Sequence, residues 1–220
     1  FSIEAKRRRA RQLFAEQRPY IIIGSPECKQ FCTFQALNMM RSKDVEAMER
    51  AKVAAIVHLE FVAQLYADQI ARGLYFLHEH PLRATSWTVD SIADLLKRPD
   101  VIRVHGDQCQ YGAEVRTGPH AGRPILKPTG FMTNAPAVAR ALSLKCQGDF
   151  GECSRAKGGQ HHSCSGRHAR EAQQYSRELC RAMLRGVRDQ LREDSLLKDG
   201  CYGIQAPDED AEVERNLRGP

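Results

Sequence analysis

Cys28 follows the apolar run Tyr20-Ile21-Ile22-Ile23 by way of Gly24-Ser25-Pro26, and Glu79 follows a second apolar run, Leu74-Tyr75-Phe76-Leu77. Runs of β-branched and aromatic residues closed by glycine or proline read as buried strands that end at the carboxyl edge of an α/β sheet. That edge is where such sheets place chemistry. A cysteine there is a nucleophile once its thiol ionises, and a carboxylate next to it is an acid or a base. A long helix between the two strands makes a crossover unit, so the strands should lie parallel and bring Cys28 and Glu79 to one shared pocket. Each residue also has a plainer reading: a small buried apolar cysteine at a strand end, and a charge neutralised by His78, His80 or an arginine.

A second cluster has the chemistry of a metal site. Cys146, Cys153, His161, His162, Cys164 and His168 offer four ligands for zinc within 23 residues. The segment has hardly any apolar side chains, so a core cannot hold it and a metal would. It contains no Cys-x2-Cys pair, and a flexible Gly/Ser/His loop is the alternative. Cys28-x3-Cys32 is a further pair with redox or metal character.

The elements that must position these groups follow from periodicity. Residues 3–17 read as a helix stopped by Pro19, with Ile3, Ala10, Leu13 and Phe14 on one face. Asp44 is an N-cap for a long helix to about Arg72, because Val45, Met48, Ala51, Ala55, Leu59, Val62, Tyr66 and Ile70 recur at three- and four-residue spacing. Gly73 takes the C′ position. Helices are expected over 85–96, 136–144 and 171–193, and strands over 101–104 and 125–133. The organisation is then a main region 1–145, a Cys/His-rich loop 146–168, a helix and extension 169–205, and an acidic tail 206–220 expected to be disordered.

A net charge of +6 and a pI near 9.0 favour a polyanionic partner. Lys6 to Arg9 with Arg11 is a solvated helix face, a phosphate contact or a nuclear-import signal. Eight cysteines with no framework, no signal peptide and no apolar run of about 20 residues fit a reduced intracellular setting away from membranes. The chain starts without methionine and in the middle of a fold, as a piece of a longer polypeptide would.

Three motifs in order, Gly24-Ser25-Pro26-Glu27-Cys28, Glu79-His80-Pro81 and Tyr111-Gly112-Ala113-Glu114-Val115-Arg116, resemble the catalytic region of DNA cytosine-5 methyltransferases over residues 19–134. The resemblance implies that the Cys28 thiolate adds to C6 of a flipped cytosine, that Glu79 is held against N3 and the exocyclic amine, and that Arg116 contacts the base. S-adenosylmethionine is the implied cofactor and DNA the implied partner. The implied architecture is α/β, a partial Rossmann-like methyltransferase fold with a mostly parallel sheet: strands near 20–23, 74–78 and 101–104 are separated by crossover helices, and the first three strands are missing. Glu27, His80-Pro81 and Glu114-Val115 depart from the family pattern, and no aromatic-x-Gly-x-Gly cofactor loop is present. The wider pattern, including Lys127-Pro128-Thr129-Gly130-Phe131-Met132-Thr133-Asn134, is similar to a module of retroelement polyproteins. A non-catalytic relic that binds nucleic acid and a zinc-stabilised interaction module are the rival readings.

Overall fold

The computed structural model describes residues 3–32, 35 and 44–197. The tail from Ala206 and most of the apolar stretch 31–40 lie outside the described residues.

Capping and periodicity place the helices. Asp44 Oδ1 accepts from the Ala47 N–H at 2.9 Å and caps the second helix, which ends at Ala71 with Arg72 as its cap and Gly73, at φ +69°, just beyond. In chain order the elements are α1 (Glu4–Gln17), β1 (Ile21–Gly24), α2 (Val45–Ala71), β2 (Tyr75–Pro81), α3 (Asp90–Leu96), β3 (Ile102–Asp107), β4 (Pro128–Thr133), α4 (Pro136–Ala141), α5 (Gly166–Glu171) and α6 (Arg177–Glu193). Two expected helices are divided. The 85–96 segment is a 3-10 turn, Thr85–Thr88, followed by α3. The 171–193 segment breaks before α6, because the Ser176 hydroxyl accepts from the Leu179 N–H at 3.1 Å and caps a new helix.

The four described strands form one sheet in the order β1-β2-β4-β3. β1 and β2 are parallel, joined by α2 as expected. β4 pairs antiparallel with both β2 and β3, so two of the three pairings are antiparallel and the expectation of a mostly parallel sheet is corrected. The physical reason is local: the segment after the turn at Gln108–Tyr111 returns as β4 and inserts between β2 and β3, leaving β1, β2 and β3 running in one direction but not adjacent throughout. The fold is mixed α/β with an open sheet.

Strand alternation sorts the side chains into two layers. Ile22, Phe76 and Met132 pack with α2, Trp87 and α3 on one face. Leu77, Phe131 and Val104 pack with α4 and α6 on the other. His78 and His80 point to the first face, where the Tyr66 hydroxyl sits 3.0 Å from His78 Nδ1. Burial in this apolar layer drives the His78 pKa down to about 3, so it is neutral. Gly24 ends β1 where a Cβ would lie 1.8 Å from the Tyr66 hydroxyl, which leaves no room for a side chain. Among the described residues no helix is long and apolar enough to cross a membrane.

Candidate functional site

Four donors converge at one place. One ligand atom each from Cys109, Cys146, Cys153 and His161 lies within 4.8 Å of the others. Cys109 comes from the 3-10 turn Gln108–Tyr111 at the end of β3, and the other three come from the irregular segment after α4. That segment is shaped by backbone bonds: Cys146 N–H donates to Asp107 Oδ2 (2.8 Å), Cys153 N–H to Gly159 O (2.9 Å), His161 N–H to Gly151 O (2.7 Å) and His162 N–H to Pro124 O (2.7 Å). At Gly148 a Cβ would fall 2.0 Å from Glu152 O, so this fold of the loop admits only glycine.

The spacing can be tested against a metal. Tetrahedral zinc with Zn–S near 2.3 Å and Zn–N of about 2.0–2.1 Å has S···S edges of about 3.8 Å and S···N edges of about 3.6 Å. Cys146 Sγ lies 3.9 Å from Cys153 Sγ and 3.6 Å from His161 Nε2. The donor set therefore fits a zinc-sized ion. Burial acts to raise the Cys146 thiol, but N–H groups of Ser154 and Gly148, the Ser154 hydroxyl and Cys153 outweigh it and bring it down to about 6. A thiolate is then present at neutral pH, as a ligand must be. Burial pushes the Cys109 thiol up.

Of the expected ligands, Cys146, Cys153 and His161 meet, and Cys164 and His168 do not join them. The chain turns away after His161, where Ile125 bridges His162, and α5 carries His168 to a place where its Nδ1 is 3.5 Å from Glu171 Oε2 and its ring 4.5 Å from that of His162. Cys164 is half-buried, its thiol raised by burial and pulled back by Lys127. Cys109 takes their place. Its sequence signal was only a lone cysteine in Gln-Cys-Gln-Tyr-Gly, 37 residues before Cys146, and only the return of the chain past β3 brings it near.

The second candidate lies at the carboxyl edge. Gly24 pairs with His78, so the next residue, Ser25, comes alongside Glu79, and its hydroxyl donates to Glu79 Oε2 at 2.9 Å. Glu79 is 4% exposed; Gln108 Nε2 donates to its Oε1 at 3.2 Å, and Lys127 Nζ lies 3.8 Å from the same oxygen. The neutralising cation is thus Lys127, and His78 and His80 face the opposite layer. Cys28 is half-buried: burial raises its thiol, Lys127 lowers it, and Glu79 raises it further. Tyr175 donates to Ser25 Oγ at 2.8 Å. Tyr175 and Gln108 also line a cleft of about 230 Å³, shared with Arg116, Glu171, Arg177 and Glu178. Arg116 binds Gln174 by its side-chain and main-chain oxygens. Arg123 is held by Gln160 O and His161 O.

No protein-family model matches this sequence, and no curated protein or solved structure does.

Proposed function

We propose that this chain is a zinc-stabilised α/β module in which Cys109, Cys146, Cys153 and His161 hold one Zn²⁺. The observation that carries the reading is the pair of inter-ligand distances, 3.9 and 3.6 Å, which match the edges of a zinc tetrahedron. When bound, the metal supplies a closed four-ligand crosslink of the structural kind. The chain's own residues do the rest: the Ser154 and Gly148 amides stabilise the Cys146 thiolate, and Gln110 Nε2 lies 3.7–3.8 Å from the sulfurs of Cys153 and Cys109. Metal analysis of protein purified without added zinc should give about one zinc per chain. Cys109→Ser should lower that ratio sharply, while Cys164→Ser and His168→Asn should leave it unchanged. A ratio near zero for the unaltered protein, or full retention in Cys109→Ser, would overturn it.

A second reading is favoured by one observation, that the Cys28 loop meets Glu79 through Ser25 with Lys127 acting on both. In it the carboxyl edge is the catalytic edge of a Rossmann-like, cytosine-5 methyltransferase-like region, with Cys28 as nucleophile, Glu79 as acid and S-adenosylmethionine bound by a segment outside this chain. The parallel crossover β1-α2-β2 supports it, and the burial that raises the Cys28 thiol works against it. Reversible thiolate addition at C6 loosens the C5 hydrogen without any cofactor. Tritium release from DNA carrying [5-³H]cytosine is therefore the measurement: release that Cys28→Ala abolishes supports the reading, and no release from the unaltered protein removes it.

A further inference from the structure

Five arginines, Arg177, Arg181, Arg185, Arg188 and Arg192, recur along α6 at intervals of four, four, three and four residues, which places them on one face of the helix. The opposite face, Leu179, Ala182, Met183, Gly186 and Gln190, is the buried one. Four of the arginines are exposed and Arg181 is half-buried. The stripe spans sixteen residues, fifteen steps or about 22 Å at about 1.5 Å per step, or roughly six phosphates of one strand at about 3.4 Å each. Its first member, Arg177, also lines the cleft that Gln108 and Tyr175 connect to Glu79. Glu178 and Asp189 border the stripe, and Asp189 Oδ1 lies 2.8 Å from Arg188 and 3.7 Å from Arg192. Pairs between exposed side chains are weak and screened by salt, so a phosphate competes with Asp189 for these guanidinium groups.

We propose that α6 is a phosphate rail for a single nucleic-acid strand, which runs along the arginine stripe and enters the cleft with one base. Arginine suits the task because its planar fork binds phosphate oxygens in pairs. The cleft, at about 230 Å³, is smaller than the roughly 300–1,000 Å³ of pockets for drug-sized ligands, and it takes a base rather than a base pair. The proposal requires neither zinc nor cytosine chemistry, so it can stand or fall apart from both readings above.

Fluorescence anisotropy with labelled oligothymidylate and oligouridylate of about 12 nucleotides, over about 50 to 200 mM salt, is the test. Both strands should bind, with log affinity falling linearly in log salt. The triple variant Arg181→Gln, Arg185→Gln, Arg188→Gln should lose roughly 10- to 100-fold in affinity near 0.1 M salt and flatten the slope by about 2, at about 0.7 for each phosphate no longer neutralised. Its helical circular dichroism and zinc content should stay those of the unaltered protein, which separates a lost rail from a misfolded chain. No binding at the lowest salt, or an unchanged slope in a folded triple variant, overturns the rail. Tighter binding of a duplex of equal length overturns the single-strand assignment. A heparin fragment that binds equally well would replace nucleic acid by polyanions in general.

Discussion

Phe131, Leu142 and Leu179 are completely buried between the sheet and α4 and α6, whereas from Cys146 to His161 only Cys153 is buried and Phe150 stands fully in solvent. The first region is held by apolar area removed from water, worth about 25 cal/mol per Å² and spread over many side chains. The second has no such area and relies on four donor atoms and a set of backbone hydrogen bonds. They meet in one turn. Gln108 bonds Glu79 and Thr129 Oγ1, Cys109 joins the cluster of four donors, and the Tyr111 hydroxyl donates to Ala141 O and accepts from the Leu144 N–H. A distributed force tolerates single losses; a concentrated one fails as a unit.

On the zinc reading proposed above, the largest effect should come from removing the metal. Chelation is expected to leave the helical circular dichroism nearly intact while amide protection collapses over residues 146–162, because structural zinc supplies about 10 kcal/mol or more in small sites that lack a core. Exchange should also quicken at Gln108, the neighbour of Cys109, and so reach Glu79, to which Gln108 is bonded. Hydrogen exchange with and without chelator reads this directly. Uniform loss of protection through α2 and β2 would mean that the two regions are one cooperative unit.

Acid separates the regions by a smaller amount. His78 is buried neutral with a pKa of about 3, whereas in the unfolded chain it titrates near 6.5. Between those values the unfolded state holds a proton that the folded state lacks, so stability falls as pH drops below about 6.5, by about 1.4 kcal/mol per unit from this group. Burial lowers His80 as well and adds to the slope. Urea unfolding of the chelated protein at pH 7 and pH 5 isolates the layered region. There a His78→Gln variant should show a visibly flatter dependence, and an unchanged dependence would place the acid sensitivity elsewhere.

The same contrast explains what could be read from the sequence. α1, α2, β1 and β2 were legible because period-3.6 patterns, continuous apolar runs, the Asp44 cap and Gly73 each report a local force. The antiparallel insertion of β4 was not, since Pro128–Thr133 has the same composition whichever way it runs, and pairing is decided by the connection. The break between α5 and α6 was hidden because Glu171 to Ser176 does not disturb the four-residue spacing of Tyr175, Leu179 and Met183. Of the four clustered donors, three lay within one segment and could be found together; Cys109 lay beyond a strand and a helix. For Glu79, strand alternation could have excluded His78 and His80 as partners, since both neighbours face the other layer.

Phe150 sharpens the comparison at its weakest point. It has φ +49° and is fully exposed, a conformation that costs an L-residue about 1–2 kcal/mol and that no burial offsets. Glycine removes that cost but loses about 0.5–1 kcal/mol of extra chain entropy on ordering. Phe150→Gly should therefore stabilise the loop by at most about 1.5 kcal/mol, read as an equal or slower transfer of zinc to a chromogenic chelator, with no change in the melting of the layered region. Phe131→Ala, a substitution in the buried layer, should by contrast cost about 3–5 kcal/mol. Faster zinc loss from Phe150→Gly would show that the exposed ring supports the loop after all. The region between Cys146 and His161 would then depend on side-chain packing as well as on its four donors.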